Sequence, residues 1–217
     1  MNTNRQWLLA QRPQGMVGKD NFTYAEQPIP EPGDGQVLVR NLYLSFDPTQ
    51  RGWMEDRESY LPPVALGEPM RAGSIGQVVE SHHAEFAVGD IVQTTGGWQD
   101  FVVAAPGQGP MGLSKVPDGV TPEMMLSVLG ITGLTAYFGL LDLGQPQASE
   151  TVLVSGAAGA TGSIAGQIAR IRGVGLWALQ EVQKSALGSK MKPVLMTSSI
   201  IKTKTLTRVS HRLARKN

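Results

Sequence analysis

The 217 residues hold 19 Lys+Arg against 18 Asp+Glu, 41% hydrophobic residues, 17% charged residues and no cysteine, a soluble-globular composition with room for one large domain or two small ones. The missing cysteine excludes disulfides, thiolate metal sites and thiol nucleophiles, and no apolar run approaches the ~20 residues of a membrane span. The net charge of +1 conceals two opposite halves: residues 1–173 carry 10 Lys+Arg against 17 Asp+Glu, and residues 174–217 carry 9 Lys+Arg against Glu181 alone. The N-terminal MNTNRQWLLAQRPQG has only a brief apolar stretch and no small-residue cleavage site, so no secretory signal is expected and a cytoplasmic setting is the default.

Residues 1–125 read as strands joined by turns. Gln36–Phe46, Ser74–Ser81, Asp90–Thr95 and Trp98–Ala104 are short alternating or apolar runs between Gly/Pro punctuation. That pattern predicts a compact β-barrel-like domain. At Thr121 the pattern changes to apolar residues at helical spacing through PEMMLSVLGITGLTAYFGLLDLG, with Pro122 at the first helical position and Gly144 and Pro146 as the stop. Glu150–Ser155 then reads as a strand buried in a parallel sheet, followed by GAAGATGSIAGQIARIRG, a glycine turn opening into a helix.

Strand, glycine turn and helix in succession are the opening of a dinucleotide-binding unit. Gly156, Gly159 and Gly162 are spaced G-x-x-G-x-x-G. Glycines there permit a tight turn, let backbone N–H groups approach a pyrophosphate, and let the helix pack closely. The spacing alone also fits a turn whose small residues serve only close packing. The buried strand before it and the amphipathic helix after it favour the nucleotide reading.

The strings Ser45–Met54 (SFDPTQRGWM), Ser59–Pro63 (SYLPP), Gly97–Phe101 (GWQDF), Leu129–Pro146 (LGITGLTAYFGLLDLGQP) and the AAGATG turn resemble the zinc-free medium-chain dehydrogenase/reductases, in the branch of prostaglandin/leukotriene, double-bond and curcumin reductases. The likeness runs from about residue 7 to 173. It implies an α/β protein with a β-rich first domain: a GroES-like catalytic domain over 1–125, then an incomplete doubly wound Rossmann domain whose NADP-binding start spans 126–173. It also implies NADPH as cofactor, no zinc, and hydride transfer to the β-carbon of an α,β-unsaturated ketone or aldehyde. The resemblance places Ile131 and Thr135 alongside the nicotinamide, and Ala158, Gly159, Ala160, Thr161 and Gly162 in the pyrophosphate turn. A homodimer is the family's assembly, and a small-molecule enone or enal is the expected partner, with no nucleic acid and no membrane.

Tyr60 reads equally as a substrate-pocket residue or as a packed loop anchor. Thr49 stands where many members have tyrosine, so no role is carried over to that hydroxyl, and no residue is assigned as catalytic. Arg51 is expected to pair with a carboxylate such as Asp47, and Trp53 and Trp98 to pack in the barrel. Zinc alcohol dehydrogenases need thiolate and imidazole ligands. Here Gly67-Glu68-Pro69 stands near where those enzymes put a histidine, and His82 and His83 read as solvated turn residues.

After Gly173 the likeness ends. A strand leading to a ribose selector should follow, and VGLWALQEVQKSALGSKMKPVLMTSS does not read as one. Leu176–Ala186 can be encoded so that a one-base shift reads Val-Val-Gly-Ile-Ala-Gly-Gly-Ala-Glu-Lys-Cys. Thr197–Thr205 in the same shifted frame can read Asp-Val-Ile-Asp-Tyr-Lys-Asn-Glu-Asn. Both strings resemble the reductase branch, including the lysine that meets the cofactor's 2′-phosphate. Residues 174–217 are therefore expected to be an out-of-frame, poorly ordered basic tail, with the chain inactive as written. Two rival readings are a quinone reductase of the same superfamily and a non-enzymatic protein whose basic tail binds nucleic acid or a membrane surface, the latter with salt-sensitive binding.

Overall fold

A hairpin begins the chain: β1 (Asn4–Leu9) runs antiparallel to β2 (Phe22–Gln27), in register from Asn4↔Gln27 to Leu9↔Phe22. The computed structural model describes residues 3–109 and 112–179. The chain divides into two units, Met1–Leu126 and Ser127–Asn217, a boundary one residue past the one read from the sequence.

In the first unit, β3 (Val37–Leu44), β4 (Ser74–Ser81), β5 (Ile91–Thr94), β6 (Phe101–Ala104) and the short β7 (Ser114–Lys115) form an antiparallel sheet in the order β6-β3-β4-β5-β7. The first four lie within the four segments whose alternation predicts strands. The hairpin is the element the sequence reading did not mark. Isolated bridges Gln6↔Gln99 and Leu8↔Pro69 tie it to the rest of the unit. Two short helices complete it, α1 (Thr49–Trp53) and α2 (Pro122–Leu126), the second starting at the expected proline.

Two apolar clusters hold this unit. One joins Val37, Val39, Val78, Phe86, Val92, Ala104 and Leu113; the other joins Leu9, Met54, Val64 and Met70, with Phe22, Trp53 and Trp98 packed against it. Trp98 makes tilted ring contacts with Phe22 and Phe46 at 4.9 and 5.4 Å. Both Trp53 and Trp98 thus pack in the barrel wall, as expected.

Asn4 shows how β1 is fastened. Its side chain is 2% exposed. Its amide donates to Phe101 O at 3.0 Å and its carbonyl accepts from Phe101 N at 2.9 Å, so one side chain pairs with β6 as a strand residue would. Asn4→Ala leaves both buried backbone groups unpaired, at about 1–3 kcal/mol each. Urea denaturation is expected to show a loss of about 2–4 kcal/mol; a loss below about 0.5 kcal/mol would contradict this account of the fastening.

Next to it, Arg5 grips Asp100 through Nε (2.6 Å) and Nη2 (3.0 Å), and Asp100 N donates back to Arg5 O at 3.0 Å. The Arg5 hydrogen bond is the main cause that holds the Asp100 carboxyl below its ordinary value, with burial working against it. Asp90 is lowered in the same way by Lys115, 2.7 Å away. The unfolded value is about 3.9. A folded value below it means stability that is present above the unfolded pKa and lost as pH falls through the folded one. Asp100→Asn is therefore expected to flatten the fall in Tm below about pH 4, read by thermal scans. An unchanged acid limb would count against the pair.

The second unit starts with α3 (Ile131–Tyr137), which runs on into a π-helical turn, Phe138–Gly144. The single helix read from Thr121 onward is therefore broken. Gly130 caps α3 in extended conformation, and Gly133 lies so close to Val128 that a Cβ would stand 1.9 Å from its carbonyl oxygen. Gln145 ends the π turn in the left-handed region at φ 44°. Then β8 (Thr151–Ser155), α4 (Ala160–Ile171) and β9 (Gly175–Leu179) form a β-α-β unit with β8 and β9 parallel. The sequence reading ended this unit at Gly173; the strand β9 corrects that for its five residues. β9 runs in parallel register with Thr151–Ser155, and Gly175 fits where a Cβ would sit 2.8 Å from Thr151 Oγ1. The expectation for residues 180–217 lies outside the described residues.

Candidate functional site

The glycine turn is built by backbone crowding. Gly156 leaves β8 at φ +61°, a left-handed conformation suited to glycine. Its carbonyl accepts the Gly159 N–H at 2.8 Å, closing the turn. Gly159 caps α4 in extended conformation. At Gly162, in the first turn of α4, a Cβ would lie 2.4 Å from Gly156 O and 3.0 Å from Ala157 Cα. Helix and turn approach so closely that no side chain fits.

Ala158, Gly159 and Ala160 are exposed on this lip, and Thr161 and Gly162 are half-buried. The first-turn amides of a helix have no intrahelical acceptor and sit at its positive end. The lip therefore fits an anionic group with two oxygens to share, as a pyrophosphate has.

In the same unit, α3 packs against α4. Ile131 is 60% exposed, and Thr135 Oγ1 donates to Ile131 O at 2.6 Å. With its proton committed to that carbonyl, Thr135 offers a ligand its acceptor lone pairs. The cofactor selector expected at the end of the second strand falls beyond Leu179, outside the described residues.

Tyr60 belongs to the first unit. Its ring is 72% exposed, so it is not packed in the core. Its hydroxyl accepts the Trp53 Nε1–H at 3.1 Å. The loop that carries it is strapped by arginines. Arg12 donates to Met54 O and Val64 O at 2.8 and 3.2 Å, and Arg71 donates to Pro62 O at 2.9 Å. Arg51 pairs with Glu55 at 2.7 Å rather than with Asp47, one helical turn on, and also donates to Gly15 O and Pro13 O. Glu55 stands four residues on, just past the end of α1, while Asp47 precedes the helix start.

Among the described residues, no group of three or more His, Cys, Asp or Glu is placed to hold a metal. His82 pairs with Glu80 at 3.3 Å, and His83 Nδ1 accepts the Glu85 N–H. No helix among the described residues is long and apolar enough to cross a membrane.

Residues 5–113, half of the chain, match the family model described as the N-terminal domain of oxidoreductase. The chain belongs to the medium-chain dehydrogenase/reductase family. Its relatives place it in the NADP-dependent reductase branch. The NADPH-dependent curcumin reductase of Escherichia coli (strain K12) is 45% identical over 170 residues, covering 78% of this chain and 48% of that protein. Prostaglandin reductase 1 of Bos taurus is 36% identical over 169 residues, covering 78% and 49%.

Among solved structures, CurA from Vibrio vulnificus superposes with a TM-score of 0.76 at 41% identity, covering 83% of this chain and 52% of that one. Its complex with NADPH gives a TM-score of 0.79 at 35% identity, covering 96% and 62%. The medium-chain reductase fold expected from the sequence is thus the fold observed: a sheet-rich first domain and the start of a Rossmann domain. The chain spans about half the length of the curated relatives it matches.

Sequence reasoning did not connect Trp53 and Arg71 with Tyr60. The indole sits seven residues away across an irregular loop, and no periodicity signals such a pairing.

Proposed function

We propose that this chain carries the catalytic domain and pyrophosphate turn of an NADPH-dependent reductase that saturates the activated C=C bond of α,β-unsaturated ketones and aldehydes. The observation that carries the reading is the Gly156–Gly162 turn, where helix and strand close up until only glycine fits. It stands in a chain whose relatives include proteins named for NADPH-dependent reduction of curcumin, prostaglandin and 2-alkenal substrates.

NADPH, when bound, supplies the hydride. The first-turn amides from Ala160 to Gly162, with the open lip at Ala158 and Gly159, would hold its pyrophosphate. Ile131 and Thr135 would lie along its nicotinamide, the first as an exposed apolar surface and the second as an acceptor for an N–H donor. Tyr60, whose phenol is exposed in the first unit, is read as a substrate-pocket residue. We place no zinc in this reaction, since the chain has no cysteine and its histidines at 82 and 83 are spent on a surface turn.

The sequence re-reading after Gly173 supports a further part of the proposal: an in-frame continuation would supply the 2′-phosphate lysine and the remaining parallel strands. A homodimer through that completed sheet and a cytoplasmic setting belong to the same reading.

Isotope labelling tests the reaction class. With a 2-enone and NADPH deuterated at the transferable C4 position, the frame-restored protein should place deuterium at the β-carbon of a saturated ketone. Deuterium at the carbonyl carbon of an allylic alcohol would make the protein a carbonyl reductase instead.

A further inference from the structure

The chain contains two Asp-Gly pairs, Asp34-Gly35 and Asp118-Gly119, and both lie in exposed turns of the first unit. The turns match in form. Gln36 N donates to Gly33 O at 3.0 Å in one, and Val120 N donates to Pro117 O at 3.1 Å in the other, with Asp second and Gly third in each. Gly35 and Gly119 both stand in the left-handed region, at φ +72° and +79°, and a Cβ on either would meet nothing within 4 Å.

The two glycine N–H groups differ. Gly35 N donates to His82 O at 3.0 Å, and His82 N donates back to Gln36 O at 2.9 Å, so that turn is bonded in both directions to the residue after β4. Gly33 N is held as well, by Gln36 Oε1 at 2.9 Å. Gly119 N has no hydrogen-bond partner among the described residues.

An aspartate followed by glycine has a reaction open to it, because no Cβ on the next residue shields the backbone nitrogen. That nitrogen bonds to the aspartate Cγ, its proton and one carboxyl oxygen leave as water, and a five-membered succinimide forms. Water then opens either ring C–N bond and restores aspartate or gives isoaspartate, whose main chain runs through the side-chain methylene. Nothing is oxidised or reduced. A nitrogen whose proton is held by a carbonyl must first break that hydrogen bond, and one in an open turn need not.

We infer that Asp118 is a site of isoaspartate formation in the folded chain, and that the bond to His82 withholds the same reaction from Asp34. The product exposes an isoaspartyl carboxylate on the turn between β7 and α2. That group is the acceptor for an isoaspartyl methyltransferase, in which a methyl group passes from the sulfonium of S-adenosylmethionine to a carboxylate oxygen and a thioether leaves. Neither step depends on the reductase reading.

The test ages the 217-residue chain in warm, mildly alkaline buffer, alone and with enough urea to unfold it. Isoaspartate at each pair is then read by fragmentation mass spectrometry of the digested chain, and by labelled methyl incorporation with an isoaspartyl methyltransferase. In native buffer isoaspartate should accumulate at residue 118 at least about fivefold faster than at residue 34. Urea should bring the two rates together, since both pairs are Asp-Gly. Amide hydrogen exchange should show the Gly119 N–H exchanging freely and the Gly35 N–H protected. Asp118→Glu, which would need a six-membered ring, should lose most of the native methyl incorporation.

Equal rates at the two pairs in native buffer, or a faster one at Asp34, would overturn the inference. A preference for residue 118 that persists unchanged in urea would do so too, because local sequence and not the fold would then set it. Protection of the Gly119 N–H, or full methyl incorporation in Asp118→Glu, would also overturn it.

Discussion

Gly162→Ala is expected to abolish tight dinucleotide binding, raising the NADPH Kd of the frame-restored protein at least about tenfold. The added Cβ would stand 2.4 Å from Gly156 O and 3.0 Å from both Ala157 Cα and Gly156 C. All three are backbone atoms, so no rotamer change relieves the clash. Gly156 is already in the left-handed region and its carbonyl holds the Gly159 N–H, so the turn and the start of α4 must separate. That displaces the amides that would face a pyrophosphate. Overpacking of this kind costs about 1–3 kcal/mol on its own. Gly139→Ala is the matched control, because a Cβ there meets nothing within 4 Å. Fluorescence titration with NADPH and a thermal scan read both effects. Wild-type affinity in Gly162→Ala would mean the cofactor does not rest on this turn.

The second large effect belongs to the barrel. Gly76 lies mid-strand in β4, where a Cβ would meet Val39 Cγ1 at 2.4 Å and Arg40 O at 2.5 Å on β3. Val39 is fully buried in the sheet's apolar cluster. β3 already carries register shifts at Leu38/Val39 and at Asn41/Tyr43, so its fit to β4 is set by this close approach. Gly76→Val is expected to lower stability by about 3 kcal/mol or more in urea denaturation. Gly18→Ala, in open space with an ordinary φ of −122°, should change little. Equal midpoints for the two variants would contradict the packing described.

These two glycines also mark how far the sequence could be read. The spacing of Gly156, Gly159 and Gly162 after an apolar strand announced a tight strand-to-helix turn, because that geometry needs glycine at fixed offsets. Gly76, inside the string Ser74–Ser81, gave no such signal. Its reason is a contact with a strand more than thirty residues away, and no local pattern carries that.

The same division runs through the rest of the molecule. Short apolar runs between turns mark Val37–Leu44 and Ser74–Ser81 as strands of one sheet, each with its first three residues buried. The hairpin strand Asn4–Leu9 was not marked, since its inward position 4 is an asparagine that serves as a surrogate strand partner to Phe101. The helical run from Pro122 was legible as helical, but its break before Gly130 was not. At the break Gly133 lies against Val128, a close approach that no helical period signals. At the candidate site, the glycine turn before α4 and the helical segment at α3 were legible through motif and resemblance. The partner of Tyr60 was not, because an indole donor seven residues back across an irregular loop follows no period.

The most direct test of the account is NADPH oxidation by two purified proteins, the 217-residue chain and the version with one base restored after Gly173, each offered a 2-enone and a quinone separately. The account predicts no turnover by the first, and enone-dependent turnover exceeding quinone turnover by the second. Turnover of the enone by the 217-residue chain would contradict the out-of-frame reading of its tail. A restored protein that oxidises NADPH with the quinone and not the enone would contradict the assignment of the reaction itself.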